Sequence, residues 1–204
     1  MAEGYIKEAR QKIAATLKVD PKELIITSGG TESNNMALIG TALAAKRKGN
    51  HIITTAVEHP SVKATASFLE EQGFRITFLS VDSRGQISLE DLKEALTPDT
   101  ILVSIMYVNN EIGTIQPVEE AAKLVHATVP GAVFHVDAIQ SYGKMRIYPA
   151  KMHVDLLSVS GHKIHGPKGS GFLYIKEGTK ISPIILEVDS RKECVLELKM
   201  YREL

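Results

Sequence analysis

Seven short apolar segments, each long enough for one β-strand, recur along the 204-residue chain and constrain its fold more than any other feature. Helix-like segments separate the first five. Near-continuous apolar strands with helical crossovers are typical of a parallel sheet that is covered on both faces. The sequence therefore predicts an α/β fold, a three-layer αβα arrangement with a mainly parallel seven-stranded sheet. The segments are 24–27, 51–57, 74–81, 100–108, 132–138, 155–160 and 171–176.

Helical periodicity predicts the elements between these strands. After the first strand, Met36, Ile39 and Leu43 recur at helical spacing and predict the apolar face of the second helix, with Gly49 as its end. Ser88 is predicted to cap a later helix, whereas the loop between the sixth and seventh strands is too short for one. The predicted helices cover about 4–17, 31–49, 60–72, 88–96 and 118–129.

The composition excludes several classes of function. Lys+Arg and Asp+Glu both total 24, so no net charge attracts the chain to nucleic acid or an anionic membrane. No apolar run approaches the roughly 18 residues of a membrane span, and the first residues lack the apolar core of a signal peptide. Cys194 is the only cysteine, so no internal disulfide can form, and we predict a reducing, cytoplasmic location.

Polar and ionisable residues follow five of the predicted strands at the point where each ends. In an open α/β sheet, ligands bind beyond the carboxyl ends of the strands, so we expect these residues to meet at one edge. The segments are TSGGTES after the first strand, EHP after the second, NNEIG after the fourth, DAIQ at the end of the fifth and SGHK after the sixth.

Three of these segments indicate the parts of a cofactor site. Glycines at a helix start, together with the Thr31 hydroxyl, can bind an anion. Asp137 ends an apolar strand, where a carboxylate is costly unless it has a partner such as a protonated ring nitrogen. Lys163 is expected to be partly buried, which would lower the pKa of its amine and free it to attack a carbonyl. An amine, an anion cradle and an aspartate together describe a site for pyridoxal phosphate.

Taken singly, the same residues also fit structural roles. The glycine segment fits an ordinary helix cap with a tight turn, and Asp137 fits a structural ion pair. His59 fits the residue before a helix, Asn110 a turn residue and Gln140 a solvated side chain. The cofactor interpretation therefore depends on their occurring together.

Other catalytic and binding motifs do not match. Lys168 is a competing amine, which we rank below Lys163 because it lies farther from the strand end. The glycine segment is neither a Walker A loop nor GxGxxG, and no GxSxG nucleophile elbow occurs. The two histidines flanking Lys163 lack the additional ligands of a metal site, so no metal is predicted.

Five motifs, taken in order, resemble the cysteine desulfurases of the fold-type I, class V aminotransferase-like group of pyridoxal phosphate enzymes. Selenocysteine lyases are close relatives that share most of the pattern. The resemblance implies that L-cysteine is converted to L-alanine while its sulfur passes to a protein thiolate as a persulfide, for iron–sulfur clusters or thiolated cofactors. The motifs are TSGGTESNN, EHPSV, VNNEIGTIQP, HVDAIQSYGK and SGHKIHGPKGSG, and the match extends to about residue 185.

The resemblance implies a role for each matching residue. Lys163 would bind pyridoxal phosphate covalently and move protons at the substrate Cα, while Asp137 would bond the pyridine N–H. Gln140 would bond the phenolic oxygen of the ring. His59 would stack on the ring and act in acid–base steps, and Asn110 would lie near the phenolic oxygen and the substrate carboxylate. The phosphate would be bound by Gly30, Thr31, Ser160 and His162.

The chain is well short of the family's usual length, and the resemblance covers the large-domain portion. We expect residues 1–186 to form a large domain that binds pyridoxal phosphate, and 187–204, with Cys194, to form a non-matching tail. The family's opening segment, its small C-terminal domain with a carboxylate-binding arginine and its loop with a nucleophilic cysteine have no counterpart in these residues. The same holds for the glycine- and arginine-rich stretch that completes a partner subunit's phosphate site.

Two hypotheses of different class follow. In the first, the chain is an enzyme or its large domain, a homodimer that takes L-cysteine or L-selenocysteine and passes sulfur to an acceptor protein. In the second, it is a truncated or divergent product that binds the cofactor weakly or not at all and serves as a partner subunit or as no catalyst. The combination of Lys163, Asp137, Gln140 and His59 favours the first for cofactor binding. The missing cysteine loop and arginine favour the second for catalysis, so we expect poor turnover by the chain alone.

Overall fold

The computed structural model describes residues 2–184, so the tail predicted for 187–204 and its Cys194 lie outside the described residues. Five α-helices and seven β-strands make up the described part. The helices are α1 Ala2–Leu17, α2 Gly30–Ala45, α3 Pro60–Glu71, α4 Leu89–Ala95 and α5 Val118–Thr128. The strands are β1 Leu24–Thr27, β2 His51–Thr55, β3 Arg75–Leu79, β4 Thr100–Met106, β5 Val133–Asp137, β6 Leu156–Ser160 and β7 Gly171–Ile175.

The seven strands form one sheet in the order β1-β7-β6-β5-β4-β2-β3. β7 runs antiparallel to both of its neighbours, and the remaining pairs are parallel. The carboxyl ends of β1, β2, β4, β5 and β6 therefore lie at one edge of the sheet, which we call the carboxyl edge. The predicted fold class is confirmed.

The helices cover both faces of the sheet. Helices α1, α4 and α5 bury Leu17, Leu92 and Val125 in one core cluster. Helices α2 and α3 bury Leu38 and Leu69 in the other. The molecule thus has three layers, and each helix buries one apolar side that would otherwise meet water. No helix of the described residues is long and apolar enough to cross a membrane.

The apolar face predicted for α2 is confirmed only in part, since Met36 and Ile39 pack against the core whereas Leu43 is exposed. Leu38 has no exposed surface, whereas Leu43 is 47% exposed, and Met36 and Ile39 are only half-buried. The helix carries apolar residues on both sides, and its small side chains let the opposite face pack closely on the sheet. Spacing alone cannot choose between two apolar faces.

Two predicted boundaries also need correction. Helix α2 ends at Ala45 rather than at Gly49. A Cβ atom at Gly49 would overlap the backbone carbonyl of Asp99, so this glycine allows two chain segments to approach closely. The β6–β7 connection, predicted to contain no helix, has a single 3₁₀ turn at Gly161–Ile164. The predicted cap of α4 is confirmed, since the Ser88 side chain accepts a hydrogen bond from Asp91 N at 3.2 Å.

We expect Leu38→Ala to lower the free energy of unfolding by about 2–5 kcal/mol, because it leaves a cavity under α2. Leu43→Ala is a matched control on the same helix and should change it by less than about 0.5 kcal/mol. Urea unfolding of the two variants gives both values. Equal losses would contradict the observed orientation of α2.

Candidate active site

A cavity of about 300 Å³ lies at the carboxyl edge, where the segments that follow β1, β2, β4, β5 and β6 meet. It brings together all nine residues that the sequence singled out, along with Met106 and Ile139. Lys163 and Asp137, which have to face a common ligand under the cofactor interpretation, line the same space. The nine residues are Gly30, Thr31, His59, Asn110, Asp137, Gln140, Ser160, His162 and Lys163.

Asp137 is the buried carboxylate of this cavity, at the end of β5 and only 4% exposed. Its Oδ2 accepts a hydrogen bond from Asn34 Nδ2 at 2.8 Å, and its Oδ1 accepts one from Ile139 N at 3.0 Å. Burial raises the pKa of Asp137, although these two hydrogen bonds and the charge of His59 act in the opposite direction. A cationic N–H group in the cavity would therefore stabilise the ionised carboxylate.

His59 caps α3, and its capping contact determines which ring nitrogen carries the proton. Ser61 N donates to His59 Nδ1 at 3.1 Å, and Ser61 Oγ lies 2.9 Å from the same atom. An Nδ1 that accepts a backbone N–H has no proton, so the hydrogen of the neutral ring is on Nε2.

Lys163 follows β6 on the 3₁₀ turn, and its side chain is exposed. The partial burial expected for it was wrong. The turn carries residue 163 past the last hydrogen-bonded position of the strand, so the side chain lies at the mouth of the cavity rather than inside the sheet. The competing Lys168 does not line this cavity but a neighbouring one of about 320 Å³.

The start of α2 supplies the backbone groups that an anion would meet. Gly29, the N-cap, has a φ of 150°, a conformation that side chains disfavour. A Cβ atom at Gly30 would overlap Ile139 Cδ1. Opposite this helix start, Ser160 Oγ is hydrogen-bonded to His162 Nδ1 at 2.8 Å. Free N–H groups and the helix dipole both favour negative charge at this position.

Gln140 and Asn110 complete the lining. Gln140 Oε1 accepts a hydrogen bond from Lys144 Nζ at 3.2 Å, which leaves Nε2 as the group that can donate into the cavity. Asn110 is exposed on the loop after β4. Its neighbour Asn109 anchors that loop, since Asn109 Nδ2 donates to Val57 O at 2.9 Å.

Sequence reasoning missed Asn34 and Glu58, both of which lie behind the cavity wall. Glu58 is 3% exposed, and its Oε1 accepts hydrogen bonds from Met106 N and Thr55 Oγ1, each at 2.8 Å. Burial raises the pKa of Glu58 to about 8, and the nearby charge of Asp137 adds to this shift. The one available signal was position: Asn34 and Glu58 belong to the motifs TSGGTESNN and EHPSV.

Comparisons with known proteins show which family and which structures the chain is similar to. The family described as aminotransferase class-V matches residues 1–201. A putative cysteine desulfurase IscS 1 of Bacillus subtilis is 51% identical over 181 residues, which is 89% of this chain and 47% of that protein. A cysteine desulfurase IscS of Dictyoglomus turgidum is 53% identical over 180 residues, 88% of this chain and 45% of that protein.

A solved structure described as a NifS-like protein has a TM-score of 0.89 at 42% identity, and the match covers 93% of this chain and 52% of that one. The chain thus spans about half the length of the relatives it matches. These homologues confirm the resemblance that the five motifs predicted. Members of this family depend on pyridoxal phosphate.

Glu58→Gln should change how stability depends on pH. A carboxyl group whose pKa rises to about 8 on folding makes the folded state bind more protons, so its contribution is lost as pH rises from about 5 to 8. Relative to wild type, the variant should gain free energy of unfolding over that range, by up to about 1.4 kcal/mol per pH unit. Urea unfolding at several pH values measures the difference, and parallel curves would contradict a protonated Glu58.

Proposed function

Because the chain belongs to the aminotransferase class-V family, we propose that its cavity holds pyridoxal phosphate and that it acts as a cysteine desulfurase. The observation that carries this proposal is the shared cavity of Lys163 and Asp137. An amine and a buried carboxylate occupy one space of about 300 Å³, beside a helix N-terminus. Burial raises the pKa of Asp137, so a cationic ligand in this cavity would stabilise its charge.

The residues present fit this cofactor. The buried carboxylate of Asp137 accepts only N–H groups in the described contacts, and a protonated pyridine nitrogen would supply the missing positive charge. The glycine start of α2, Ser160 and His162 match a phosphate in charge and hydrogen-bonding capacity. Gln140 can donate to a phenolic oxygen through Nε2.

Pyridoxal phosphate supplies an aldehyde that joins to an amine and a ring that withdraws electrons from the substrate. The chain's own residues would bind the cofactor and the substrate and would transfer protons. Lys163 Nζ, exposed at the cavity mouth, is the amine and the group that carries a proton to or from the substrate Cα. Asp137 would keep the ring nitrogen protonated, and His59 would offer its Nε2–H to the bound group. Asn110, on its anchored loop, lies where it can bind the substrate carboxylate.

The substrate we propose is L-cysteine. The relatives that the chain matches are named cysteine desulfurases, and that name supports the substrate class. In the reaction the substrate C–S bond breaks, a protein thiolate forms an S–S bond with the sulfur, and a proton goes to carbon, giving L-alanine and a persulfide. Selenocysteine lyase activity is the alternative within the same family.

We extend the proposal to the whole assembly. Residues 1–186 form the domain that binds pyridoxal phosphate in a cytoplasmic homodimer that transfers sulfur to an acceptor protein. Ile112 and Ile115, on the loop after β4, are 63% and 50% exposed. A second chain that covered this loop would remove their apolar surface from water.

Lys163→Ala should abolish covalent capture of pyridoxal phosphate. Adding the cofactor to the wild-type chain should produce the visible absorbance of an amine-bound aldehyde, and borohydride reduction should fix the label on Lys163. Lys168→Ala, a matched lysine of the neighbouring cavity, should keep both signals. Labelling of Lys168 instead, or no labelling at all, would overturn the proposal.

Alanine release from L-cysteine tests the activity. We expect slow release by the 204-residue chain, because the five motifs that carry the resemblance contain no cysteine, and the one cysteine, Cys194, follows them in the sequence. An added dithiol should raise the rate by supplying the attacking thiolate, and Lys163→Ala should abolish it. Cys194→Ala should leave the rate unchanged, and a large loss would instead identify Cys194 as the nucleophile.

A further inference from the structure

Asn34 is a buried asparagine whose single amide group joins two walls of the cavity. It has no exposed surface and lies on α2, on the side that faces the sheet. Its Nδ2 donates to Asp137 Oδ2 at 2.8 Å and to Ser61 Oγ at 3.0 Å. An amide nitrogen carries two hydrogens, so both are used.

The orientation of this amide is set by Asp137. The Asn34 Oδ1 is buried and has no hydrogen-bond partner among the residues that the structure describes. An unpaired buried carbonyl oxygen costs stability. Turning the amide over would place Oδ1 against the carboxylate of Asp137, oxygen against oxygen. The observed orientation therefore leaves Asn34 Oδ1 without a partner and places the Nδ2 donor against Asp137 Oδ2.

The second hydrogen of the Asn34 amide connects it to His59 through the hydroxyl of Ser61. Because Ser61 Oγ accepts from Asn34, its own hydroxyl hydrogen is left to bond His59 Nδ1, 2.9 Å away. The backbone N–H of Ser61 donates to the same ring atom. One hydrogen-bonded chain thus runs from the carboxylate on β5 through α2 to the imidazole that caps α3.

We propose that Asn34 is a positioning residue, which holds the Asp137 carboxylate toward the ring nitrogen of the cofactor and couples it through Ser61 to His59. This inference rests on the proposed function. Asn34 contacts neither cofactor nor substrate and acts through the two residues that line the cavity. Its N–H stabilises the ionised form of Asp137, the form that a protonated ring requires.

Asn34→Ala should weaken the binding of pyridoxal phosphate by about 10- to 100-fold, the range for losing a hydrogen bond to a charged group. Titration of the chain with the cofactor, followed by absorbance, gives the dissociation constant. The visible absorbance maximum of the bound cofactor should also shift, in the same direction as in Asp137→Asn. A purely structural asparagine would leave that maximum in place.

Asn35→Ala is the matched control. Asn35 is the next residue on α2, donates to Thr31 O at 2.8 Å and accepts from Thr65 Oγ1 at 3.0 Å, without a bond to Asp137. It should change the dissociation constant less than about twofold, because its bond to Thr31 is to the carbonyl oxygen and not to the N–H or hydroxyl that would bind the phosphate. Asn34→Leu keeps the branched shape of the side chain without a donor, so it measures the loss of affinity if the alanine variant folds poorly.

A double-mutant cycle separates positioning from folding. In an Asp137→Ala background, Asn34→Ala should have almost no further effect on cofactor affinity, because its partner is already gone. An undiminished additional loss would show that Asn34 acts through the fold and would overturn the inference. Wild-type chain that binds no cofactor contradicts the proposed function. Wild-type and Asn34→Ala chains that bind equally well contradict this inference alone.

Discussion

A carboxylate buried at the end of a central strand is the constraint on which the rest of this site depends. Asp137 lies where a negative charge is costly, and the fold compensates only in part, with one N–H on each of its oxygens. Burial still raises its pKa. The cavity above it is therefore suited to a ligand that carries a positive N–H group, and the neighbouring residues are arranged around such a ligand.

Parallel strands explain how residues so distant in sequence come to surround one carboxylate. Six of the seven strands in the described sheet end at the same edge, and the connections that follow five of them each contribute a polar segment to the cavity. The antiparallel β7 allows β1 to join this edge, because two reversals restore the strand direction. The start of α2 lies beside Ser160, the last residue of β6, since an added Cβ atom at Gly29 or Gly30 would contact the Ser160 side chain.

The parts that could be predicted from the sequence are those that depend on local pattern. Strand positions, the cap at Ser88 and the meeting of strand ends follow from periodicity and topology. The face of α2 does not, since the helix is apolar on two sides, and the exposure of Lys163 depends on a single turn. Asn34 and Glu58 were missed because their partners, Asp137 and Met106, are 103 and 48 positions away. Local sequence patterns do not indicate that a polar side chain will be buried against residues so far away in the chain.

The two buried acids at the cavity, Asp137 in its wall and Glu58 behind that wall, differ in which of them carries a charge. Glu58 and Asp137 repel each other when both are ionised, and the pKa of Glu58 rises to about 8. Glu58 is then largely neutral at neutral pH, so it can hold Met106 N and Thr55 Oγ1 in place without adding a second charge to the interior. Asp137 is the acid that faces the cavity, so a cationic ligand can stabilise its charge. A protonated Glu58 adds no negative charge beside Asp137. Asp137 can therefore ionise more readily when a cationic ligand binds in the cavity.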